Sequence, residues 1–280
     1  MLALFSGVGR GGQNYSVKGL VLKVDKPHRS FLVSCQRIPG YMEAMAMPFA
    51  VREPKELEGL APGAMVEFTL VVNQESSYAE NIHIHLFQSL ENDPQAAARL
   101  NIVDRILDPA SSKEALKIGQ PVPDFTLIDQ NRRRVTLSQF AGKVVAITFI
   151  YTRCPLPDYC FRLSGNFGQL QKRFADQMGR NLVLLSITFD PAHDQPEDMA
   201  KYGSIWKADP RGWKLLTGPP TEVEKICRSF GIDSWLDEGL LIHSLHTSIL
   251  DRQGRLAANL DGNEFSATQL GDLVQTVMSK

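Results

Sequence analysis

A continuous apolar and β-branched run from Val144 to Tyr151 leads into a pair of cysteines, and this junction constrains the fold more than any other feature. Such runs are typical of strands that are buried on both faces, in sheets covered by helices. The residues that follow include Cys-Pro-Leu-Pro-Asp-Tyr-Cys, which places Cys154 and Cys160 at the carboxyl edge of the strand. Because α/β proteins place functional sites at such edges, the junction predicts a sulfur site on an α/β fold.

Strand and helix patterns alternate after this junction. Helical spacing runs from Phe161 to Met178, and a second buried strand is predicted from Leu182 to Phe189. Further helices are predicted at Glu197 to Trp206, Thr221 to Phe230 and Thr268 to Met278, with a strand at Thr247 to Asp251. This order predicts an α/β sandwich around a mixed sheet.

The first part of the chain has a different pattern, because apolar residues alternate at strand period from Tyr15 to about Leu86. Five short strands with polar turns predict a small all-β domain of the OB-like barrel type. Polar residues and prolines accumulate after Gln88, around one short predicted helix near Gln95 to Ile106. With 280 residues available, we expect an all-β domain at 14–88, a linker at 89–116 and an α/β domain at 117–280.

The spacing of Cys154 and Cys160 leaves two kinds of chemistry open. In a continuous helix their Cα atoms would lie roughly 9 Å apart along the axis, beyond the disulfide limit of about 6.8 Å. Pro155 and Pro157 oppose that helix and predict a loop that folds back, with a helix starting near Cys160. A reversible disulfide and a two-thiolate metal site are both compatible with this loop. The helix N-terminus and Arg153 are expected to lower the thiol pKa.

A packing role is the alternative to a functional role for the cysteines of the α/β domain. Cys227 lies at helical core spacing with Val223, Ile226 and Phe230, so we assign it a packing role. The same role is the alternative for Cys154 and Cys160, since free cysteine is often buried.

A second sulfur-rich segment lies in the all-β domain. Three of the eight methionines fall within six positions, at Met42, Met45 and Met47, shortly after Cys35. On a strand, Met45 and Met47 would point to the same face. Thioethers prefer Cu(I) over Zn or Mg, and core packing is the alternative explanation.

Charge and hydropathy exclude several function classes. Lys and Arg total 30 against 31 Asp and Glu, so the net charge of -1 does not favour nucleic acid or anionic lipid. No apolar run reaches the roughly 18 residues of a membrane span. The segment Met1 to Gly12 lacks a basic beginning and is too short for a signal peptide, so either export is absent or the true start lies upstream. Membrane contact is therefore expected only through an anchor not visible in the sequence.

The ordered motifs of the α/β domain resemble the Sco/SenC family from Ile118 to the C-terminus. They are Pro-Asp-Phe-Thr-Leu at 123–127, Phe-Ala-Gly-Lys at 140–143, Tyr-Thr-Arg-Cys-Pro at 151–155, Asp-Pro at 190–191 with Asp194, and His-Ser at 243–244. The resemblance implies a thioredoxin-like fold and copper binding through Cys154, Cys160 and His243. It also implies assembly of the binuclear copper centre of cytochrome c oxidase, in the periplasm or at the outer face of the cytoplasmic membrane. The family places three residues between its cysteines, whereas this chain has five.

The methionine segment resembles CusF-like periplasmic copper-binding domains. Met45 and Met47 match the methionine ligands of that family, Cys35 falls where related sequences place a histidine, and Met42 falls near the family's tryptophan. The resemblance implies a copper site formed by Cys35, Met45 and Met47.

The remaining histidines are weaker candidates. His246 lies three residues after His243 and is expected to pack or to support a ligand. His83 and His85 share one strand face and are expected to be solvated.

The favoured function is a copper metallochaperone, a monomer that carries Cu(I) or Cu(II) to a cytochrome c oxidase subunit or another cuproprotein. The alternative is a thiol-disulfide oxidoreductase acting on an exported protein, in which Cys154 attacks and Cys160 resolves the mixed disulfide. Peroxide reduction ranks third, because the proline and threonine that peroxiredoxins place upstream of their cysteine do not occur at that spacing. A metal-free interaction barrel is the fourth interpretation, for the first domain alone.

Overall fold

The computed structural model describes residues 13–74, 76–85, 115–232, 234–237, 240–243 and 245–280, with the backbone alone for 157, 234–237 and 240–243. The opening segment Met1 to Gly12 and the predicted helix at Gln95 to Ile106 lie outside the described residues.

The first domain is a five-stranded antiparallel sheet, as the alternating pattern predicts. Its strands are β1 (Gln13–Asp25), β2 (Ser30–Cys35), β3 (Ala46–Ala50), β4 (Met65–Val72) and β5 (Ser77–His85), in the order β3-β2-β1-β4-β5. Phe31, Phe49 and Phe68 form the centre of its core, with ring centroids 4.9 to 6.0 Å apart. The two edge regions meet at one parallel bridge between Val51 and Ala79. The all-β prediction is confirmed. Apart from this bridge the described strands do not close the sheet, so the barrel stays a prediction.

The second domain has a seven-stranded mixed sheet with helices packed on it. Its elements are β6 (Thr126–Asp129), β7 (Arg134–Thr136), β8 (Val144–Ile150), α1 (Arg162–Arg173), β9 (Leu182–Thr188), α2 (Pro196–Ile205), β10 (Trp213–Thr217), α3 (Pro220–Ser229), β11 (Ser234–Asp237), β12 (Leu240–His243), β13 (His246–Leu250), β14 (Leu256–Asp261) and α4 (Ala267–Met278). The strand order is β14-β13-β8-β9-β10-β6-β7, and β11 pairs only with β12 among the described strands. This is the thioredoxin-like arrangement.

The central strands explain why this domain folds as predicted. Every residue of β8 and β9 is buried, and the two strands pair in parallel from Val144 with Leu182 to Ile150 with Thr188. The sequence pattern did not predict β6, β7, β10, β11, β12 or β14. β10 and β14 are short, and the polar residues Lys214 and Asn259 interrupt their apolar patterns.

The two domains share a packed interface. Leu20 and Leu22 of β1 belong to the same buried cluster as Leu270 and Leu273 of α4. A Cβ atom placed on Gly63 would lie 2.4 Å from the carbonyl oxygen of Asn259, so the turn before β4 contacts β14 closely. The part of the first sheet around Leu20 and Leu22 is therefore covered by the second domain. None of the described helices has the length and apolar character needed to cross a lipid bilayer.

Candidate metal centre

The cysteine pair lies where β8 gives way to α1. After Ile150 the chain forms a loop, then one π-helical turn from Pro157 to Phe161, and only then α1 at Arg162. Tyr159 has a non-helical backbone conformation within this turn, with φ -104° and ψ -105°. The predicted helix start near Cys160 is therefore two residues early, because the turn that contains Cys160 is π-helical.

The loop folds back and brings the two sulfur atoms together, as the prolines predict. Both side chains are buried, with Cys154 6 % and Cys160 0 % exposed. The two thiols are free and do not form a disulfide. The two side chains interact, since each is the largest cause of the other's pKa shift, and the Cys154 sulfur lies 3.6 Å from the carbonyl oxygen of Leu156. Two sulfur atoms this close can bind one soft metal ion or become linked to each other.

The two thiols shift each other's pKa values in opposite directions. The hydrogen bond from Cys160 lowers the pKa of Cys154 to about 6, against the opposing effect of burial. The same bond, together with burial, raises the pKa of Cys160 well above its ordinary value. Arg153, expected to lower the thiol pKa, instead forms an ion pair with Asp190 at 2.7 Å. The two shifts therefore favour Cys154 over Cys160 as the residue that loses its proton first.

We expect alkylation of the metal-free, reduced protein by iodoacetamide at Cys154 to reach half its maximal rate near pH 6. A C160A variant removes the hydrogen-bond donor, so its midpoint should move up toward the ordinary thiol value of 9.0. Mass spectrometry of labelled peptides would measure both profiles. Burial raises the pKa of Cys227 to about 12, so this thiol provides an unreactive internal control. An unchanged midpoint in C160A would contradict this account.

Asp194 anchors the chain just before the first cysteine. Its buried carboxylate accepts hydrogen bonds from the backbone N–H and the hydroxyl of Thr152, at 3.0 and 2.5 Å, and from the hydroxyl of Thr188 at 2.5 Å. Burial raises the pKa of Asp194. The sequence analysis used this residue only as part of a motif, although its position shortly after a buried strand was a signal for a role at the sheet edge.

Asp190 contributes a turn and an ion-pair cluster at the same edge. Its carboxylate contacts Arg153 and, at 2.9 Å, Nδ1 of His193. Its backbone carbonyl accepts the N–H groups of His193 and Asp194. Asp190 therefore forms a turn after β9, and its side chain also restrains Arg153 beside the cysteine loop.

The predicted histidine ligand is described only through its backbone. His243 is the last residue of β12, paired with Ser234, and its ring lies outside the described side chains. Among the side chains that are described, no three His, Cys, Asp or Glu residues are grouped as metal ligands. The set of Cys154, Cys160 and His243 therefore stays a prediction. His246 begins β13, and its Nδ1 lies 3.3 Å from Nδ2 of Asn259, which agrees with the expected packing role.

A loop before α4 holds the cysteine turn from the other side. The side chain of Asn263 donates to the carbonyl of Asp158, and the side chain of Asn166 donates to the carbonyl of Phe265 at 3.3 Å. Asn263 is itself buried. No spacing pattern in the sequence connected residue 263 with the cysteines, more than 100 positions earlier.

The sulfur donors of the first domain also lie near one another. The N–H of Cys35 donates to the carbonyl of Met45 at 2.9 Å, and Val33 pairs with Met47. Cys35, Met45 and Met47 are therefore neighbours on one face of β2 and the β3 region, although Met45 precedes β3. Cys35 is buried, Met47 is half-buried and Met45 is 53 % exposed. Burial raises the pKa of Cys35 to about 12.

Three further residues of the first domain have surface or packing roles. Met42 packs partly against the first core. His83 and His85 are exposed, and Nε2 of His85 lies 3.1 Å from Glu67, which agrees with the expected solvated face.

Comparison with known families assigns both parts of the chain. The SCO1/SenC family matches residues 113–279, and the family described as copper binding periplasmic protein CusF matches residues 14–84. The Schizosaccharomyces pombe protein sco1 is 31 % identical over 174 residues, covering 58 % of this chain and 64 % of that protein. A putative copper-binding protein of Stutzerimonas stutzeri is 29 % identical over 113 residues, covering 40 % of this chain and 52 % of that protein. The matches thus span less than two thirds of either relative.

Solved structures support the fold of the second domain. A SCO1/SenC family lipoprotein of Bacillus anthracis superposes with a TM-score of 0.52 at 21 % identity, over 58 % of this chain and 99 % of that one. A putative electron transfer protein of Aquifex aeolicus gives 0.53 at 19 % identity, over 59 % of this chain and 96 % of that one. At these identities the likeness concerns the fold.

Proposed function

The chain belongs to the SCO1/SenC family, and from this membership we propose that it is a copper metallochaperone that works outside the cytoplasm. The observation that carries the proposal is the placement of two buried free thiols, Cys154 and Cys160, beside each other at the carboxyl edge of β8. Copper is the metal named by the CusF match to the first domain and by the Stutzerimonas relative. A soft sulfur pair suits that metal.

In the second domain, Cys154, Cys160 and His243 form the proposed ligand set. Two thiolates and one imidazole accept both Cu(I) and Cu(II). Because the thiolate is the form that binds metal, copper binding would release the proton of Cys160. Asp194 and Asn263 hold the two ends of the cysteine segment, which limits how far the sulfur atoms separate without metal.

In the first domain, Cys35, Met45 and Met47 form the second proposed site. Two thioethers favour Cu(I), and the exposed Met45 gives the ion access from solvent. We propose that copper held by the protein is delivered for assembly of the binuclear copper site of cytochrome c oxidase. The CusF match supports a periplasmic location.

An anaerobic titration with Cu(I) in competition with a chromogenic chelator tests this function. We expect two equivalents to bind per full-length chain, and one in the variant with both Met45→Leu and Met47→Leu, because leucine keeps the volume and removes the sulfur. Met65→Leu is the matched control, since Met65 lies in the same domain away from the β2–β3 pair. Two equivalents in the double variant would refute the first site, and none in the wild type would refute the chaperone proposal.

A thiol-disulfide oxidoreductase is the second candidate, favoured by the lowered pKa of Cys154 beside a protonated Cys160. The Cys154 thiolate would attack a target disulfide, form a mixed disulfide and release one target thiolate. Cys160 would then attack the Cys154 sulfur, lose its proton to the released thiolate and displace the second target sulfur. The target gains two electrons, and the chain is left with a Cys154–Cys160 disulfide. Stoichiometric reduction of a model disulfide in the absence of copper would distinguish this role.

A further inference from the structure

The first turns of α4 contact both sulfur-bearing segments of the chain. On one side, α4 contacts β2 at Ser34, the residue immediately before Cys35. The Ser34 hydroxyl donates to Asp272 at 2.7 Å, and the Ser34 carbonyl accepts from Gln269 at 3.1 Å. On the other side, α4 follows directly from the loop that holds the turn containing Cys160.

Gln269 lies at the centre of these contacts and uses both ends of its amide. Its Oε1 accepts the backbone N–H of Ser266 at 2.9 Å, while the Ser266 hydroxyl accepts the Gln269 N–H at 3.2 Å. This reciprocal capping box fixes the start of α4. The Nε2 group is the donor to Ser34 across the domain interface. The side chain is only 3 % exposed, so water does not replace either bond easily.

Only a few residues separate the start of α4 from the loop that contacts the segment around Cys160. Ser266 follows Phe265 directly, and the chain between Asn263 and Phe265 makes two contacts with the segment around Cys160. Arg162 adds a longer contact, 3.5 Å from its Nη2 to the carbonyl of Glu264. Displacing the start of α4 would therefore displace the partners of Asp158 and Asn166.

We propose that Gln269 is a positioning residue shared by the two sulfur sites, with one amide that fixes both the turn of Cys160 and the strand end before Cys35. This inference rests on the proposed function for its significance, since the two segments carry the proposed copper ligands. A cap of purely local importance would stabilise α4 without restraining either segment.

Hydrogen exchange on the metal-free full-length chain tests the proposal with two variants. Q269A removes both bonds, so exchange at the Tyr159 amide and at the Cys35 and Gln36 amides should rise about three- to tenfold, the range for one lost hydrogen bond. Q269E keeps an oxygen for Ser266 but loses the donor to Ser34. It should therefore raise exchange only at Cys35 and Gln36 and shift the ¹³C signals of the Met45 and Met47 methyl groups.

A variant elsewhere on α4 provides the control for this experiment. Gln275→Ala, at an exposed site that contacts only Ser279 among the hydrogen bonds of the described side chains, should change neither segment. Increased exchange at one segment or neither in Q269A, or equal increases at both in Q269E, would overturn the shared role. If Q269A does not fold, Q269L takes its place, since leucine removes both hydrogen bonds of the side-chain amide and keeps most of the volume, and an unchanged Tyr159 amide would count against the proposal. Since these measurements need no copper, failure of the wild type to bind Cu(I) would refute the proposed function separately.

Discussion

Replacing Cys154 with serine is expected to lower the Cu(I) affinity of the second domain by more than about 100-fold, while the first domain keeps its equivalent. Loss of an outer partner of a metal ligand already costs about 10- to 100-fold, and this change removes a thiolate itself. Serine also leaves Cys160 without the thiolate that its side chain contacts. Chelator competition on the full-length chain would measure the loss.

Cys227→Ala is the matched control for this experiment. Cys227 is also a buried free thiol, but it lies on α3 in the core, and its pKa is raised to about 12 by burial. Its replacement should leave both copper equivalents in place. Retention of two tightly bound equivalents in C154S would remove the second domain from the copper proposal.

Asp194→Ala is expected to lower the free energy of unfolding by about 3 kcal/mol, because three donors lose their buried acceptor. Two of those donors belong to Thr152, so the loop before Cys154 should loosen as well. Urea unfolding monitored by fluorescence would measure the change. Asp194→Asn should cost about half as much, since its amide oxygen still accepts and its NH₂ group can donate to a hydroxyl.

The two Asp194 variants should also differ from the wild type in pH dependence. Burial raises the pKa of Asp194 in the folded protein above its unfolded value, so the folded state binds its proton more tightly. This favourable contribution is fully present below the unfolded value near 3.8 and is lost as pH rises through the folded pKa. Asp194→Asn cannot titrate, so its stability relative to the wild type should increase over that window. A constant difference between the two proteins would contradict the assignment.

The sequence predicted the fold where local pattern and burial agree. β8 and β9 are apolar throughout and pair in parallel, as the continuous runs indicate. β10 was missed because Lys214 breaks its five-residue pattern, and it is held as a strand by pairing with β9 on one side and β6 on the other. Pairing with strands distant in the chain determined β10, and a short window of sequence does not contain that information.

The candidate site, like the fold, was predicted only where the cause is local in the sequence. Proline chemistry predicted that the loop after Cys154 folds back, because each proline restricts its own segment. The roles of Asp194, Asn263 and Gln269 depend on contacts between segments far apart in the chain, and sequence spacing carries no direct record of them. The lowered pKa of Cys154 was predicted, but its main cause is the neighbouring sulfur instead of the guanidinium.

The burial of Leu20 and Leu22 bears on whether the two domains could have existed as separate proteins. Both leucines belong to the first sheet but are buried with the helix of the other domain, and fully burying one leucine contributes roughly 1.5 to 3 kcal/mol. A gene fusion that joined two independent modules would have left these leucines facing water until both surfaces adapted to each other. The same burial implies that separating the two domains would expose Leu20 and Leu22 to water.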